Sequence, residues 1–491
     1  MGLFFTLLYI LTAYLAPDTL FGALAEYRVQ LIIAILGIIF SIPSLQQSNL
    51  TRTPQTFALI GMWVAVFMSY LFNGLTRYAP EAMLDFLPST FAFFFVVLNC
   101  KTKRHLQMVI LVLLGASLFT IYMGYTAILA RHFNSPYLYS GHDAATSETL
   151  SRLRGLSFIN DPNDFAQLLV SLIPCLFFFW ASKRGPQNFI FVLVPAGILL
   201  FGMFLTHSRG GMVAFLAVVL VSARRKIGTI PSAITAGVLF AIATVIGWSG
   251  GRDISIEQGA DRMEAWATGL QLLKSHPIFG VGFLRFTEYY MITAHNTIVV
   301  CAAELGMFGL FFWVMFLIPT IRDAVVAGRT DKSKEQLAEE EEEKTPFERA
   351  LAARATQTAP MHFESATSAP EAINAALVSD ARGNVAAMAN PYFMNEEAKE
   401  LPEAELRRLA RLMTFSLTGF LVAGWFLSRA YVMTLFIYGG MVQVLYRMAL
   451  DQGLVPERMK LPRVMRFSAI TAVILIAVVY VMLRIQNLMR F

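Results

Sequence analysis

Apolar runs long enough to cross a membrane recur along this chain of 491 residues. A membrane-spanning helix needs about 20 predominantly apolar residues, and twelve runs approach that length, at 28–45, 56–73, 83–99, 105–125, 162–182, 188–206, 209–223, 229–248, 295–321, 411–428, 430–447 and 466–484. A thirteenth run, at 3–15, is shorter; no basic residue precedes it, which favours a short span or re-entrant segment over a cleaved signal peptide. The pattern predicts an all-α, polytopic integral membrane protein with about 12–13 transmembrane helices.

The composition also favours a membrane protein. Apolar residues make up 56% of the chain and charged residues 15%, whereas soluble domains average about 45–50% and 25%. The net charge is +6, but basic residues in a polytopic protein mainly set its orientation, so no nucleic-acid partner is predicted. Cys100, Cys175 and Cys301 lie in or at the ends of apolar runs, which predicts neither a disulfide framework nor a metal site. We expect no cofactor.

Basic residues mark every second connection between the apolar runs. They occur in "KTKR" (101–104), "SKRG" (182–185), "ARRK" (223–226) and the stretch 447–466. Cytoplasmic loops are enriched in Lys and Arg, so the connections between these, at 126–161, 206–209 and 249–294, are predicted to face outward. With thirteen spans, Arg484 and Arg490 in the tail would lie on the outer side, against this rule.

Residues 322–410 differ from the rest of the chain in composition. They carry the acidic run "AEEEEEK" (338–344) and a stretch rich in Ala, Ser and Thr. Such a composition does not support a buried core, so we predict a disordered cytoplasmic insertion with fragmentary helix. It divides a membrane domain (1–321) from C-terminal transmembrane helices (411–491).

Two of the predicted outer connections carry arginines beside helix starts. In "RLRGLSFINDPNDFA" (152–166), Arg152 and Arg154 precede a helix that begins at the Asp-Pro pair, and they serve either as interfacial anchors or in binding. In "THSRGGMV" (206–213), Arg209 begins a helix and two glycines follow it. An arginine at a helix N-terminus favours an anion site; the alternative is an arginine that reaches the membrane edge.

The third outer segment, "DRMEAWATGLQLLK" (261–274), has the periodicity of an amphipathic helix at the membrane interface. Its apolar stripe comprises Met263, Trp266, Leu270 and Leu273. Arg262 falls at the edge of this stripe and therefore needs an anionic partner.

The fourth segment, "MITAHNTIVV" (291–300), places His295 and Asn296 at the outer mouth of an apolar helix. His295 is either a hydrogen-bonded interfacial residue or the group that exchanges a proton near neutral pH beside the three arginine-bearing segments. Glu304 lies deeper in the same run, and a separation of nine residues puts it on the opposite helical face from His295. We expect Glu304 to act in helix packing rather than to orient the imidazole.

In this order, "RGLSFINDPNDFA", "SRGG", "R…W…P.FGVG" and "HN…AELG..G", over roughly residues 150–320, resemble the O-antigen ligase and O-antigen polymerase family of bacterial surface-polysaccharide enzymes. The resemblance implies a GT-C-like membrane glycosyltransferase of the inner membrane, with its active face in the periplasm. It would transfer a glycan from undecaprenyl diphosphate to a hydroxyl of a glycan, lipid or protein acceptor, with inversion and without a metal. The acidic insertion is not part of the family pattern.

By motif position, the resemblance assigns catalytic roles to Arg209, Arg262 and His295. Arg285 competes with Arg262 for the match to the family's large-loop arginine. Together with Arg154 and Asn296, it is a candidate for substrate binding.

Two other classes of protein fit the size and composition. A lipid-glycan flippase or secondary transporter would carry its ionisable residues near the bilayer midplane or on broken helices, whereas here they cluster on one predicted face. A non-catalytic scaffold built around the acidic insertion would leave that cluster without a role.

Overall fold

The computed structural model describes residues 1–25, 27–45, 50, 53–142, 149–248, 256–329 and 401–489, and most of these are helical. In chain order the helices are α1 (Gly2–Leu15), α2 (Pro17–Leu20), α3 (Gly22–Ala25), α4 (Val29–Ser41), α5 (Pro54–Leu71), α6 (Ala79–Asn99), α7 (Lys103–Leu129), α8 (Pro162–Leu176), α9 (Gly185–Asn188), α10 (Val194–Leu205), α11 (Arg209–Ile227), α12 (Thr229–Val245), α13 (Ile256–Ser275), α14 (Thr297–Ala327), α15 (Glu403–Gly424), α16 (Met433–Asp451) and α17 (Leu461–Met489). Every apolar run predicted from the sequence coincides with one of them.

The helices confirm an all-α polytopic membrane protein. Within the described residues, eight helices are long and apolar enough to cross a membrane. Three shorter apolar helices lie at Gly2–Leu15, Val29–Ser44 and Thr229–Val245. The predicted runs at 209–223 and 411–428 form α11 and α15, which have 19 and 22 residues. The predicted total of 12–13 spans stays a prediction.

A short β-hairpin interrupts the helical pattern in the first large outer connection. Strand β1 (Leu138–His142) pairs antiparallel with strand β2 (Thr149–Leu153), with Leu138 opposite Leu153. Leu138 and Leu153 are buried, and the Leu153 side chain packs beside Gly124 of α7. The sequence analysis predicted no strand here. The hairpin fixes Arg152 and Arg154 against the helices.

Helix α14 is broken near its N-terminal third. Gly306 has φ 66° and ψ −170°, outside the helical region, and a left-handed φ of this kind favours glycine. The loop 277–282 enters the gap: the Val281 N–H donates to the Ala303 carbonyl and the Gly282 N–H to the Glu304 carbonyl, both at 3.0 Å. A Cβ atom on Gly280 would lie 2.3 Å from the Glu304 carbonyl oxygen, so only glycine allows this approach.

The predicted amphipathic helix is present as α13, but protein covers its apolar stripe. Trp266 is 7% exposed and Leu273 is 8% exposed. Gly269 meets Val299 of α14, and Trp266 packs with Phe286 and Val299 in one buried cluster. The apolar residues of this stripe therefore pack against α14 and do not need to be covered by a membrane surface.

The helices run further into the predicted insertion than the sequence analysis expected. α14 continues to Ala327 and α15 begins at Glu403, so both ends of the range 322–410 are helical, because apolar positions continue on the packed face of each helix. Residues 329–402 form a separate unit. For residues 330–400, the predicted disorder lies outside the described residues.

Basic side chains of the predicted cytoplasmic connections gather at one end of the helices. An Arg447 Nη2–H donates to the Cys100 carbonyl at 3.0 Å, and an Arg408 Nη1–H donates to the Phe177 carbonyl at 2.9 Å. Lys103 forms an ion pair with Glu405. This grouping agrees with the alternation of the loops and leaves the candidate residues at the other end.

Candidate functional site

The first two outer segments are joined by hydrogen bonds at the starts of α8 and α11. The Arg152 Nε–H donates to the Thr206 carbonyl at 2.9 Å, and its Nη2–H donates to Asn163 Oδ1 at 3.2 Å. The Ser208 hydroxyl donates to the same Asn163 oxygen at 2.8 Å. Arg152 is 8% exposed. Arg152 therefore holds these two segments together. The sequence analysis, which predicted an interfacial anchor or a binding residue, did not predict this role.

Arg209 lies at the first position of α11, as the sequence predicted. The Ser208 side chain caps the helix by accepting the Gly211 N–H at 3.1 Å. The two glycines do not leave room for a ligand, because a Cβ on Gly211 would lie 2.8 Å from Ala166 Cβ and one on Gly210 would lie 3.2 Å from Phe426 Cβ. They allow close packing of α11 instead.

His295 lies in a strained turn rather than in helix α14. Its φ is 46°, in the left-handed region that non-glycine residues adopt mainly where the surroundings hold them. The His295 N–H donates to Ser428 Oγ at 2.8 Å. The Thr297 hydroxyl donates to the Leu427 carbonyl at 2.8 Å. The loop between α15 and α16 thus fixes the backbone that presents the imidazole.

A cavity of about 450 Å³ opens beside His295. Its polar lining comes from four parts of the chain and includes Arg154, Asp161, Asp164, His295, Glu304 and Arg429. The cavity therefore brings the first and fourth outer segments together with the loop between α15 and α16.

Arg262 is electrostatically coupled to Arg209, Asp161 and His295. Removal from water lowers the pKa of Arg262, and the nearby Arg209 charge lowers it further, while Asp161 opposes both effects. Burial lowers the pKa of His295 below 6.5, the Arg262 charge adds to that effect, and Asp161 opposes it. The lowered pKa favours the neutral form of His295, which is able to accept a proton.

Helix α13 positions Arg262 through a contact next to His295. The Trp266 indole N–H donates to the Ala294 carbonyl at 2.7 Å. Since Ala294 directly precedes His295, this bond ties the helix that carries Arg262 to the turn that carries the imidazole. Arg262 keeps part of its surface exposed, while the surrounding protein removes enough water from its guanidinium to lower its pKa.

Arg285 is engaged away from this group. Its Nε–H donates to both carboxylate oxygens of Glu288 at 2.9 Å, and its Nη1–H donates to the Val281 carbonyl at 3.2 Å. The hydrogen-bonded pair raises the pKa of Arg285 and lowers that of Glu288. Like Arg209 and Arg262, Arg285 is not among the residues that line the cavity. Because Arg285 is paired with Glu288 and Arg262 is coupled to Arg209 and His295, we expect Arg262 to be the arginine that acts with Arg209.

The two remaining candidates differ in position. Arg154 lines the cavity, and its Nε–H donates to the Pro136 carbonyl at 3.0 Å. Asn296 is 0% exposed and does not line the cavity. Its Oδ1 accepts the N–H groups of Ile298 and Val299 at 3.0 and 3.2 Å, which caps α14. Asn296 thus stabilises the helix start behind His295, and its assignment to substrate binding stays a prediction.

Sequence reasoning missed two groups of the cavity. Arg429 follows the run 411–428 in "LSRAYV", where an arginine between two apolar runs was a signal that went unused. Glu304 lines the same cavity as His295, contrary to the expectation of opposite faces. That expectation failed because α14 begins at Thr297, so helical periodicity does not extend back to His295.

Within the described ranges, no group of three or more His, Cys, Asp or Glu side chains is arranged to hold a metal ion. That the reaction needs no metal ion stays a prediction, which rests on the arginines as the groups that would offset negative charge.

The fold and this cluster define a polytopic helical membrane protein with an arginine- and histidine-bearing site at one end of its helices. Residues 194–314 match the family model described as O-antigen ligase. This match confirms the resemblance to the O-antigen ligase and polymerase family over that segment and indicates a glycosyltransferase-like enzyme. A comparison with curated proteins gives no match. The matched segment contains Arg209, Arg262 and His295, whereas the arginine at 154 and the loop at 425–432 lie outside it.

Proposed function

We propose that this chain is a membrane glycosyltransferase that moves a glycan from undecaprenyl diphosphate to an acceptor hydroxyl at the periplasmic face. One observation carries the proposal: Arg262 is electrostatically coupled to both Arg209 and His295, and the Trp266–Ala294 hydrogen bond ties its helix to the turn that presents His295. Two arginines coupled in this way to an imidazole whose lowered pKa favours the neutral form combine charge stabilisation with proton acceptance.

The arginines act on the leaving group. As the bond between the anomeric carbon and the diphosphate oxygen breaks, the oxygen takes the electron pair and negative charge grows on the diphosphate. Arg209 and Arg262 donate hydrogen bonds to that charge, and the N-terminus of α11 adds its partial positive charge. Preorganised donors stabilise such a charge more than water does, because they need no reorganisation as the bond breaks.

His295 acts on the acceptor. The acceptor oxygen forms a new bond to the anomeric carbon, and its proton passes to the neutral imidazole. Attack from the side opposite the diphosphate inverts the anomeric carbon. The hydrogen bond from the backbone N–H of His295 to Ser428 Oγ fixes the backbone that carries the ring during this step.

One observation favours a transporter, because broken helices with buried acids mark many transport sites. α14 is broken at Gly306, beside the buried Glu304. The gap, however, is filled by the loop 277–282, whose backbone pairs with the freed groups of α14. A helix break that is filled by the chain's own backbone favours the fixed site of an enzyme over the transport path of a transporter, which must open and close.

The proposal is tested by reconstituting the purified protein with a lipid-diphosphate glycan and candidate acceptors. We expect transfer to continue in excess EDTA, since arginines rather than a divalent ion offset the diphosphate charge. The product glycan is followed by gel mobility and mass spectrometry. Activity that is lost in EDTA and restored by magnesium or manganese contradicts the metal-independent mechanism.

We expect residues 330–400 to be dispensable for chemistry. The Arg411 Nη1–H donates to the Gly328 carbonyl at 3.2 Å, so the ends that flank this stretch are close. The first turns of α15 add about 12 Å, which a Gly/Ser linker of about 15 residues spans, since its mean end-to-end distance is about 20 Å. Transfer by the linker variant should match that of the full chain. A folded but inactive linker variant would assign a partner or acceptor to this stretch.

A further inference from the structure

The cavity beside His295 differs in charge from the Arg209 and Arg262 pair. Its volume of about 450 Å³ lies within the range of roughly 300–1,000 Å³ common to small-molecule sites. Its lining contains two arginines, at 154 and 429, and three acidic residues, Asp161, Asp164 and Glu304. A phosphate group placed here would face three carboxyl groups, which opposes its binding.

Glu304 offers an unused hydrogen-bond acceptor in this cavity. The residue is 3% exposed, and its Oε2 atom is buried with no hydrogen-bond partner among the described residues. The backbone N–H groups of Leu284 and Phe286 face the same carboxyl group. Buried polar atoms in native proteins almost always have a partner, so an unpaired oxygen in a cavity wall points to a ligand that donates a hydrogen bond.

Arg429 and Asp164 form a second, preorganised pair in the cavity wall. The Arg429 Nε–H donates to Asp164 Oδ2 at 2.6 Å, and Nη2 contacts the same oxygen at 2.5 Å. Asp164 is 3% exposed at its side chain and Arg429 is 31% exposed. Because the two charges offset one another, the pair offers hydrogen-bond donors and acceptors without a strong net charge.

We propose that this cavity is the acceptor subsite and that it takes an uncharged polyhydroxyl group, such as a sugar ring, rather than the diphosphate. A hydroxyl both donates and accepts, so it satisfies Glu304 Oε2 as a donor and Arg429 as an acceptor. His295 lines this cavity and is also coupled to Arg262. It therefore lies between the acceptor and the leaving group. This inference rests on the proposed glycosyltransferase function.

The test measures KM for the acceptor and for the lipid-diphosphate donor separately in Glu304→Gln and Arg429→Lys. Glu304→Gln keeps the shape of the side chain but replaces one acceptor oxygen with an NH₂ group, and Arg429→Lys removes the planar donor fork. We expect each substitution to raise the acceptor KM about 10–100-fold and to leave the donor KM unchanged. Glu288→Gln is the matched control, since this exposed acid of the same outer connection does not line the cavity, and both KM values should stay at wild-type levels.

The outcomes separate the two hypotheses. Wild-type protein that transfers no glycan to any acceptor overturns the proposed function itself. Wild-type transfer with a raised donor KM and an unchanged acceptor KM in the two variants overturns only the acceptor subsite. If Glu304→Gln fails to fold, as judged by its elution from size exclusion in detergent, Arg429→Lys decides, because its side chain is more exposed and its loss creates no buried cavity.

Discussion

We expect replacement of His295 with alanine to abolish glycan transfer and to leave expression and membrane insertion normal. The imidazole is half-buried in the cavity wall and its lowered pKa favours the neutral form, so its loss removes the acceptor of the hydroxyl proton. General-base catalysis contributes about 10²–10⁴-fold, and we expect a loss of that size in kcat with reconstituted protein. His276→Ala is the matched control, because this histidine lies in the same outer connection and bonds to Ser275 outside the cavity. Wild-type turnover in His295→Ala would refute the assignment.

The pH profile gives this prediction a second readout. Since burial and Arg262 lower the pKa of His295 below 6.5, the neutral form persists into mildly acidic solution, and activity falls only as pH falls through that lowered pKa. Residual activity of Arg262→Gln should show its acidic limb at higher pH, because a nearby positive charge has been removed. Asp161→Asn should shift the limb the other way. Asn retains the helix cap that Asp161 provides.

Substitution of Arg209 or Arg262 gives the second large effect. Loss of one preorganised donor to a developing anion costs about 10²–10³-fold, and we expect Arg→Ala at either position to reduce kcat/KM by that factor. Arg→Lys should also impair transfer, since lysine offers a point charge in place of a bidentate fork. The rates are measured with a defined lipid-diphosphate glycan at saturating acceptor.

Arg285→Lys is the control for this pair. Arg285 is bound to Glu288, so its substitution should change the rate by far less. A large loss in Arg285→Lys together with a wild-type rate in Arg262→Lys would show that the large-loop arginine of the family pattern is Arg285. Unchanged rates in both Arg209 and Arg262 variants would remove the diphosphate clamp from the mechanism.

Helix positions, and the segments that carry the candidate residues, could be predicted from the sequence because both have local signals. Apolar runs predict the helices. The Asp-Pro pair at 161–162 and the Ser-Arg-Gly-Gly segment at 208–211 indicate helix starts that have polar groups beside them. The pairing of Arg429 with Asp164 had no such signal, since it joins residues 265 positions apart. The periodicity argument for Glu304 assumed one continuous helix, and it failed at the turn before Thr297.

The choice between Arg262 and Arg285 also required the three-dimensional structure. Both lie in the same outer connection, and sequence spacing does not distinguish them. The structure separates them by the partners that each one finds: Glu288 three residues away for Arg285, and the distant Arg209 and Asp161 for Arg262. The buried stripe of α13 is a similar case, because amphipathicity alone does not say whether lipid or protein covers the apolar face.

The bond from the His295 backbone to Ser428 spans 133 positions of sequence and crosses the acidic insertion. During synthesis, His295 therefore leaves the ribosome well before the residue that holds its backbone. A nascent chain that ends within the insertion carries the whole family-matched segment, 194–314, yet lacks Ser428 and Arg429. The candidate site therefore lacks part of its cavity wall until the loop between α15 and α16 has been synthesised.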